Sequence, residues 1–140
     1  GSKFTEANCK CWLCKCGCAV LSYLFWKQLE PNKENVENCL DEKADFDWHH
    51  NGLYNVSKRE NDKIKIVAPC IAKLIRPPEK NTDHFIFISE FVKKDEIINY
   101  SNGSVTIRTT KRFNYFDPNN NKRKYNTIEE LENDVQECHY

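Results

Sequence analysis

Cys70-Ile71-Ala72-Lys73-Leu74-Ile75-Arg76-Pro77-Pro78 is the stretch on which the fold turns. Ile71 to Arg76 is apolar and branched enough for a buried strand, and the two prolines end it because neither can donate a ladder hydrogen bond. Downstream, Phe85 to Val92 is rich in β-branched and aromatic residues and reads as a second strand. Ser104 to Thr110 alternates Val105, Ile107 and Thr109 against Thr106, Arg108 and Thr110, which predicts a third strand with one buried face. Arg112 to Phe116 reads as a short fourth strand, and Asp117-Pro118 with its run of Asn reads as a loop.

Helices are expected on either side of this block. Ser57 with Glu60 three residues on has the form of a capping box, predicting a helix that carries Ile64 and Val67 inward and ends before Pro69. Thr127 with Glu130 repeats the pattern before Ile128, Leu131 and Val135. Upstream, Ala19, Val20, Tyr23, Leu24 and Trp26 recur at helical spacing and the helix is stopped before Pro31. A short polar helix or loop follows from Asn32 to Asp45. The expected class is α+β: a central antiparallel sheet of three or four strands flanked by two helices, with a Cys-rich helical N-terminal extension. The expected division is residues 1–45 as the Cys-rich segment and 46–140 as the folded domain.

Composition narrows the functional classes. Lys plus Arg and Asp plus Glu number 21 each among 140 residues, so no overall field draws the chain to nucleic acid or to an anionic membrane. The clusters Lys111-Arg112 and Lys122-Arg123-Lys124, although near Phe113, Tyr115 and Phe116, are expected to be solvated. The longest apolar run, Cys18 to Trp26, is too short to span a bilayer. Gly1-Ser2 has the look of an expression scar, which leaves compartment open, with a cytoplasmic location expected and a secreted one if the cysteines are bridged.

Five of the eight cysteines fall between Cys9 and Cys18. Cys11-Trp-Leu-Cys14 has the separation of a zinc knuckle, with Cys9, Cys16 or Cys39 available to complete four ligands, so Cys9, Cys11, Cys14 and Cys16 are the candidate metal set. Disulfides are a second option, although closely alternating cysteines bridge one another poorly. S-acylation beside the apolar helix is a third, and it would bring the chain to a membrane. No cofactor is required by any other motif. Catalysis is not expected: Cys70 with His49 or His84 can be written as a thiol–imidazole pair, yet nothing in the sequence joins them.

From about Phe46 to Tyr140, Trp48 followed by a Gly, Ser57-Lys58-Arg59-Glu60, Leu74-Ile75-Arg76, Phe85 to Phe91, and Tyr125 to Leu131 follow one another in a set order. In that order they resemble a Src-homology-2 (SH2) domain. The resemblance implies a non-catalytic signalling module that binds a tyrosine-phosphorylated protein or peptide. In that reading Arg76 forks its guanidinium onto two phosphate oxygens. Lys58 would match the family's basic position on the first helix, Arg108 a basic position on the third strand, and Thr82 would supply a hydroxyl. Pro78 stands where the family usually has a Ser, Lys73 replaces the usual Phe, and Thr106 or Asn99 takes the usual His position. The alternative is a Cys-rich zinc-binding or disulfide-stapled interaction domain without phosphate recognition.

Overall fold

A computed structural model describes residues 17–40, 46–79, 83–118 and 123–140. In chain order the elements are α1 (Cys18–Lys27), α2 (Lys33–Cys39), β1 (Val56–Lys58), β2 (Cys70–Leu74), β3 (Phe85–Asn99), β4 (Val105–Phe116), α3 (Ile128–Asp134) and β5 (Val135–His139). The five strands form one antiparallel sheet in the order β1-β5-β2-β3-β4. The α+β class holds, with a larger sheet than the three or four strands expected and with three helices among the described residues.

Strand β2 decides the layering. Its side chains are buried on both faces, with Lys73 alone partly open. Cys70, Ala72 and Leu74 join Ile86, Ile88, Leu131, Val135 and Cys138 in one cluster under α3. Ile71 points the other way and joins Val20, Tyr23, Leu24, Val36, Cys39 and Leu53 under α1 and α2. This is the period of two that puts successive strand residues on opposite faces. The apolar helix of the Cys-rich segment therefore shares a core with the sheet.

Three sequence expectations are corrected. The capping pattern at Ser57 does not start a helix: Val56–Lys58 is a strand paired with β5, and Ser57 Oγ donates to the Lys65 carbonyl at 2.6 Å. Glu60 and Lys63 exchange main-chain hydrogen bonds of 2.8 and 2.9 Å around Asn61 and Asp62, whose φ values are 51° and 61°. That is a two-residue hairpin turn of the kind Asn and Asp favour, and it competes successfully with a helix. Next, the third and fourth strands are one continuous β4, and its first half has no buried face, since Val105 and Ile107 are mainly exposed. Finally, Val135 does not extend the last helix but opens β5, which inserts between β1 and β2.

The cap of α3 forms as expected: Thr127 Oγ1 accepts from the Glu130 N–H at 3.1 Å. The opposite end is closed by Arg59, whose guanidinium donates to the carbonyls of Val135 at 2.9 Å, Asp62 at 3.0 Å and Glu132. Arg59 thus ties the β1 hairpin to the end of α3. Substituting Arg59→Met should lower stability by roughly 1–3 kcal/mol, read as a fall in the urea midpoint, while Lys58→Met on the exposed strand neighbour should leave it nearly unchanged.

Burial pushes the Cys39 thiol up from 9.0 to about 11. The native state then holds this proton more tightly than the unfolded chain. The associated stability is complete below about pH 9 and is lost as pH rises through about 11. Denaturation followed from pH 8 to 11.5 should show a decline of which Cys39→Ala removes roughly 2 kcal/mol.

Candidate active site

Helix α1 begins at Cys18, directly after Gly17, which supplies no side-chain cap. Its first turn contains no acidic residue, so the partial positive charge of the helix start is not neutralised from within the helix. The Cys18 thiol donates to the Asp83 carbonyl at 3.6 Å. The sulfur also faces the main-chain N–H of Phe85 and those of Ala19 and Cys18 itself. Residues 83 and 85 therefore bracket it from the start of β3, with His84 between them. Burial raises the Cys18 thiol above its ordinary value and the nearby Asp117 carboxylate adds to the rise, while the surrounding N–H groups oppose it. The resting group is the protonated thiol, in a setting where several donors await a thiolate.

His84 is fixed by main chain and side chain together. Its carbonyl accepts from the Leu74 N–H at 2.9 Å, which pins it beside the end of β2. Its Nε2 lies 2.9 Å from Asp117 Oδ1, and the Asp117 side chain has no exposed surface. A buried carboxylate is costly unless its oxygens are bonded. The other oxygen, Oδ2, accepts from the Arg123 N–H at 3.3 Å. Arg123 is itself held across the same end of the sheet, through Asp134 at 2.6 Å and the Ile75 carbonyl at 3.3 and 3.4 Å. With Nε2 committed to Asp117, Nδ1 is the imidazole nitrogen left for proton transfer. The thiol is thus in contact with the main chain on either side of His84, and the imidazole is oriented by a buried carboxylate; a thiol, an imidazole and an orienting carboxylate are the groups a thiol nucleophile requires.

The expected phosphate residues are distributed differently. Arg76 follows β2, with its side chain half exposed and Nη1 3.9 Å from Asp83 Oδ1. Lys58 lies on β1 rather than on a helix, opposite Glu137, which in turn stands opposite Lys73. Lys73 Nζ is 3.6 Å from Asp83 Oδ2. Lys58 and Arg76 are thus the ends of one string of alternating charges: Lys58, Glu137, Lys73, Asp83, Arg76. Arg108 is remote from it. It pairs with Glu96, eleven residues along β3 from Phe85, or roughly 35 Å at strand spacing. There Lys94 and Arg108 together hold the Glu96 carboxyl down at about 2. Thr82 and the cysteines at 9, 11, 14 and 16 lie outside the described residues. Among the described residues no group of three or more His, Cys, Asp or Glu is arranged to hold a metal, and no helix is long and apolar enough to cross a membrane.

Cys70, the thiol weighed with His84 in the sequence, is buried in the cluster under α3 and hydrogen-bonds to Cys138. The nucleophile candidate that sequence reasoning missed is Cys18, lost among its cysteine neighbours. A signal was available, because Cys18 opens the apolar helical repeat just after a Gly, the position where a helix start faces a thiol. Asp117 was missed because Asp-Pro followed by Asn reads as a loop.

No family model, curated protein or solved structure matches the chain.

Site-resolved alkylation tests the environment of these thiols. In the native protein Cys18 should react with iodoacetamide along a pH profile that inflects above that of an ordinary thiol. Cys70 and Cys138, both wholly buried, should remain unlabelled until the protein is unfolded.

Proposed function

We propose that this chain is a thiol-dependent hydrolase or acyl transferase acting on an amide, ester or thioester carbonyl, in place of the non-catalytic module expected from sequence. The observation that carries the reading is the His84 imidazole held at 2.9 Å by the fully buried Asp117 carboxylate, on the residue between Asp83 and Phe85, whose main chain contacts the Cys18 thiol at the start of α1. A carboxylate with no solvent exposure is an expensive way to fix a surface histidine and a reasonable way to hold a general base in one tautomer.

In the proposed reaction His84 takes the Cys18 proton and the sulfur adds to the carbonyl carbon. The tetrahedral oxyanion collapses to a thioester as His84 returns the proton to the leaving group. Water, or an acceptor nucleophile, then attacks the thioester with His84 again taking the proton, and Cys18 is released as the thiol. The main-chain N–H of Cys18, at the helix start, is suited to stabilise the oxyanion.

p-Nitrophenyl acetate tests this without knowledge of the natural substrate. Wild type should release about one equivalent of p-nitrophenolate in a burst, with acetyl found on Cys18 by mass spectrometry. His84→Ala should slow that acylation by roughly 100-fold or more, and Asp117→Asn should slow it while keeping the fold. Acylation at Cys18 no faster than at an unstructured thiol, or no response to His84→Ala, would sink the reading.

Phosphotyrosine recognition is the second reading. It is supported by the β2-β3-β4 meander with helices on both faces and by Arg76 just beyond β2. Titration of a phosphotyrosine peptide library should then give binding that Arg76→Ala abolishes. Failure of every phosphopeptide to bind removes it.

A further inference from the structure

The tripeptide Asn-X-Ser, with X other than Pro, occurs three times: Asn55-Val56-Ser57, Asn99-Tyr100-Ser101 and Asn102-Gly103-Ser104. It is the acceptor sequence for an N-linked oligosaccharide, and the side chain must reach solvent to carry one. All three asparagines are exposed. Asn55 leads into β1, and its main chain exchanges two hydrogen bonds of 3.0 Å with Tyr140. Asn99 ends β3, and Asn102 lies in the turn to β4. β1 and β4 are the two edges of the sheet, so an acceptor stands at the head of each.

The same places hold the apolar surface that the fold leaves open. Among the described residues, the large apolar side chains with half or more of their surface in water are Tyr54, Ile97, Tyr100, Val105 and Ile107, between 50% and 70% exposed. Tyr54 immediately precedes Asn55. Ile97 and Asn99 share one face of the ribbon by the period of two, and their partners Ile107 and Val105 stand opposite them on that face. Nearer the core this is the face that packs Phe91 and Phe113 against the cluster under α3. The ties to α3 stop at Lys93 and Lys111, so the apolar face continues outward with no described element over it. A contiguous apolar stripe in water calls for a cover. A sugar chain rooted at Asn99 starts directly across from Val105 and one residue pair from Ile97 and Ile107. Asn102 is placed differently, because its Oδ1 accepts from the Ser104 N–H at 2.9 Å and from the Ser104 hydroxyl at 2.6 Å, which folds the amide back over the turn.

We propose that Asn55 and Asn99 carry N-linked oligosaccharides, which cover these apolar side chains and hinder both sheet edges from pairing with other chains. The donor is an oligosaccharide on a lipid diphosphate. The Asn Nδ2 bonds to the anomeric carbon of the first sugar. The bond from that carbon to the diphosphate oxygen breaks with its electron pair, and the diphosphate takes the amide proton. Asn102 stays bare, since a sugar chain at Asn99 bars the transferring enzyme from an acceptor so close in the chain.

The full chain, sent through a eukaryotic secretory pathway behind a cleavable signal, tests this. Peptide-N-glycosidase turns each glycan-bearing Asn into Asp, and peptide mass spectrometry should find that conversion at positions 55 and 99. Asn55→Gln and Ser101→Ala should each lose one glycan, Ser101→Thr should keep both, and Ser104→Ala should change nothing. Transfer acts on the chain as it enters the lumen, before folding, so glycans counted in whole-cell extract report even a variant that fails to fold. Enzymatic removal of the glycans from the folded protein should raise anilinonaphthalene sulfonate fluorescence about twofold or more, and Ile97→Thr/Ile107→Thr should cancel most of that rise. A bare Asn55 or a bare Asn99 overturns the assignment at that position, and occupancy confined to Asn102 overturns both. Glycans whose removal leaves dye binding and self-association unchanged overturn the covering role.

Discussion

Burial of β2 on both faces is the constraint from which the remaining architecture follows. Cys70, Ile71 and Ala72 have no exposed surface and Leu74 almost none. A strand of this kind must have paired neighbours on both edges and a layer over each face, or it leaves apolar surface and unpaired main chain in water. β5 and β3 supply the edges. α3 covers the face of Cys70, Ala72 and Leu74, while α1 and α2 cover that of Ile71. Helix α1 could not be removed without exposing Ile71 and Leu53, so packing holds its start over the end of the sheet, where the Cys18 thiol also meets the Asp83 carbonyl. The position of Cys18 is a consequence of that packing.

The contrast between cysteines supports a chemical role for one of them. Cys70 and Cys138 are in contact inside the cluster under α3, where hydrogen bonding to Cys138, and then burial, raises Cys70. Cys138 is lowered by the reciprocal bond. Neither is accessible, and both serve as small apolar side chains. Cys18 is only part-buried and is surrounded by main-chain donors, two of its contacts coming from the residues on either side of His84. Stability alone does not explain the buried Asp117, because an apolar residue of similar size would avoid its desolvation cost. Local features that oppose stability are expected where a chain carries chemistry.

Much of the core was legible in the sequence because it rests on local rules. Pro77-Pro78 marks the end of β2, the Thr127 cap forms, and the branched run from Phe85 is a strand. The Ser57 pattern failed since a capping box is only four residues long, and the Asn61-Asp62 turn that follows it pairs Glu60 with Lys63 and turns the chain back where a helix would have to continue. β5 was missed because Val135 continues the apolar spacing of α3, and nothing local distinguishes one more helical turn from a strand that finds partners in β1 and β2. The candidate site was the least legible part. Cys18, His84 and Asp117 belong to a helix start, a strand start and a strand end, and only sheet register and helix packing bring those three ends together.

The β3-β4 ribbon obeys a different economy. Beyond Phe91 and Phe113 it passes the edge of α3, tied there by Lys93 to Glu132 at 3.2 Å and by Lys111 to Glu129. Further out no described element covers it, and its order comes from cross-strand pairs. Thr109 Oγ1 donates to Asp95 at 2.6 Å, Arg108 pairs with Glu96, and Ile97 faces Ile107. Charged residues along both strands discourage edge pairing with other chains. Extending a sheet in this way adds nothing to the core, so the outer ribbon can vary in length or sequence without disturbing β2. The residues proposed to act together, Cys18, His84 and Asp117, all lie at the opposite end, where the Leu74 N–H holds the His84 carbonyl and the Arg123 N–H holds Asp117.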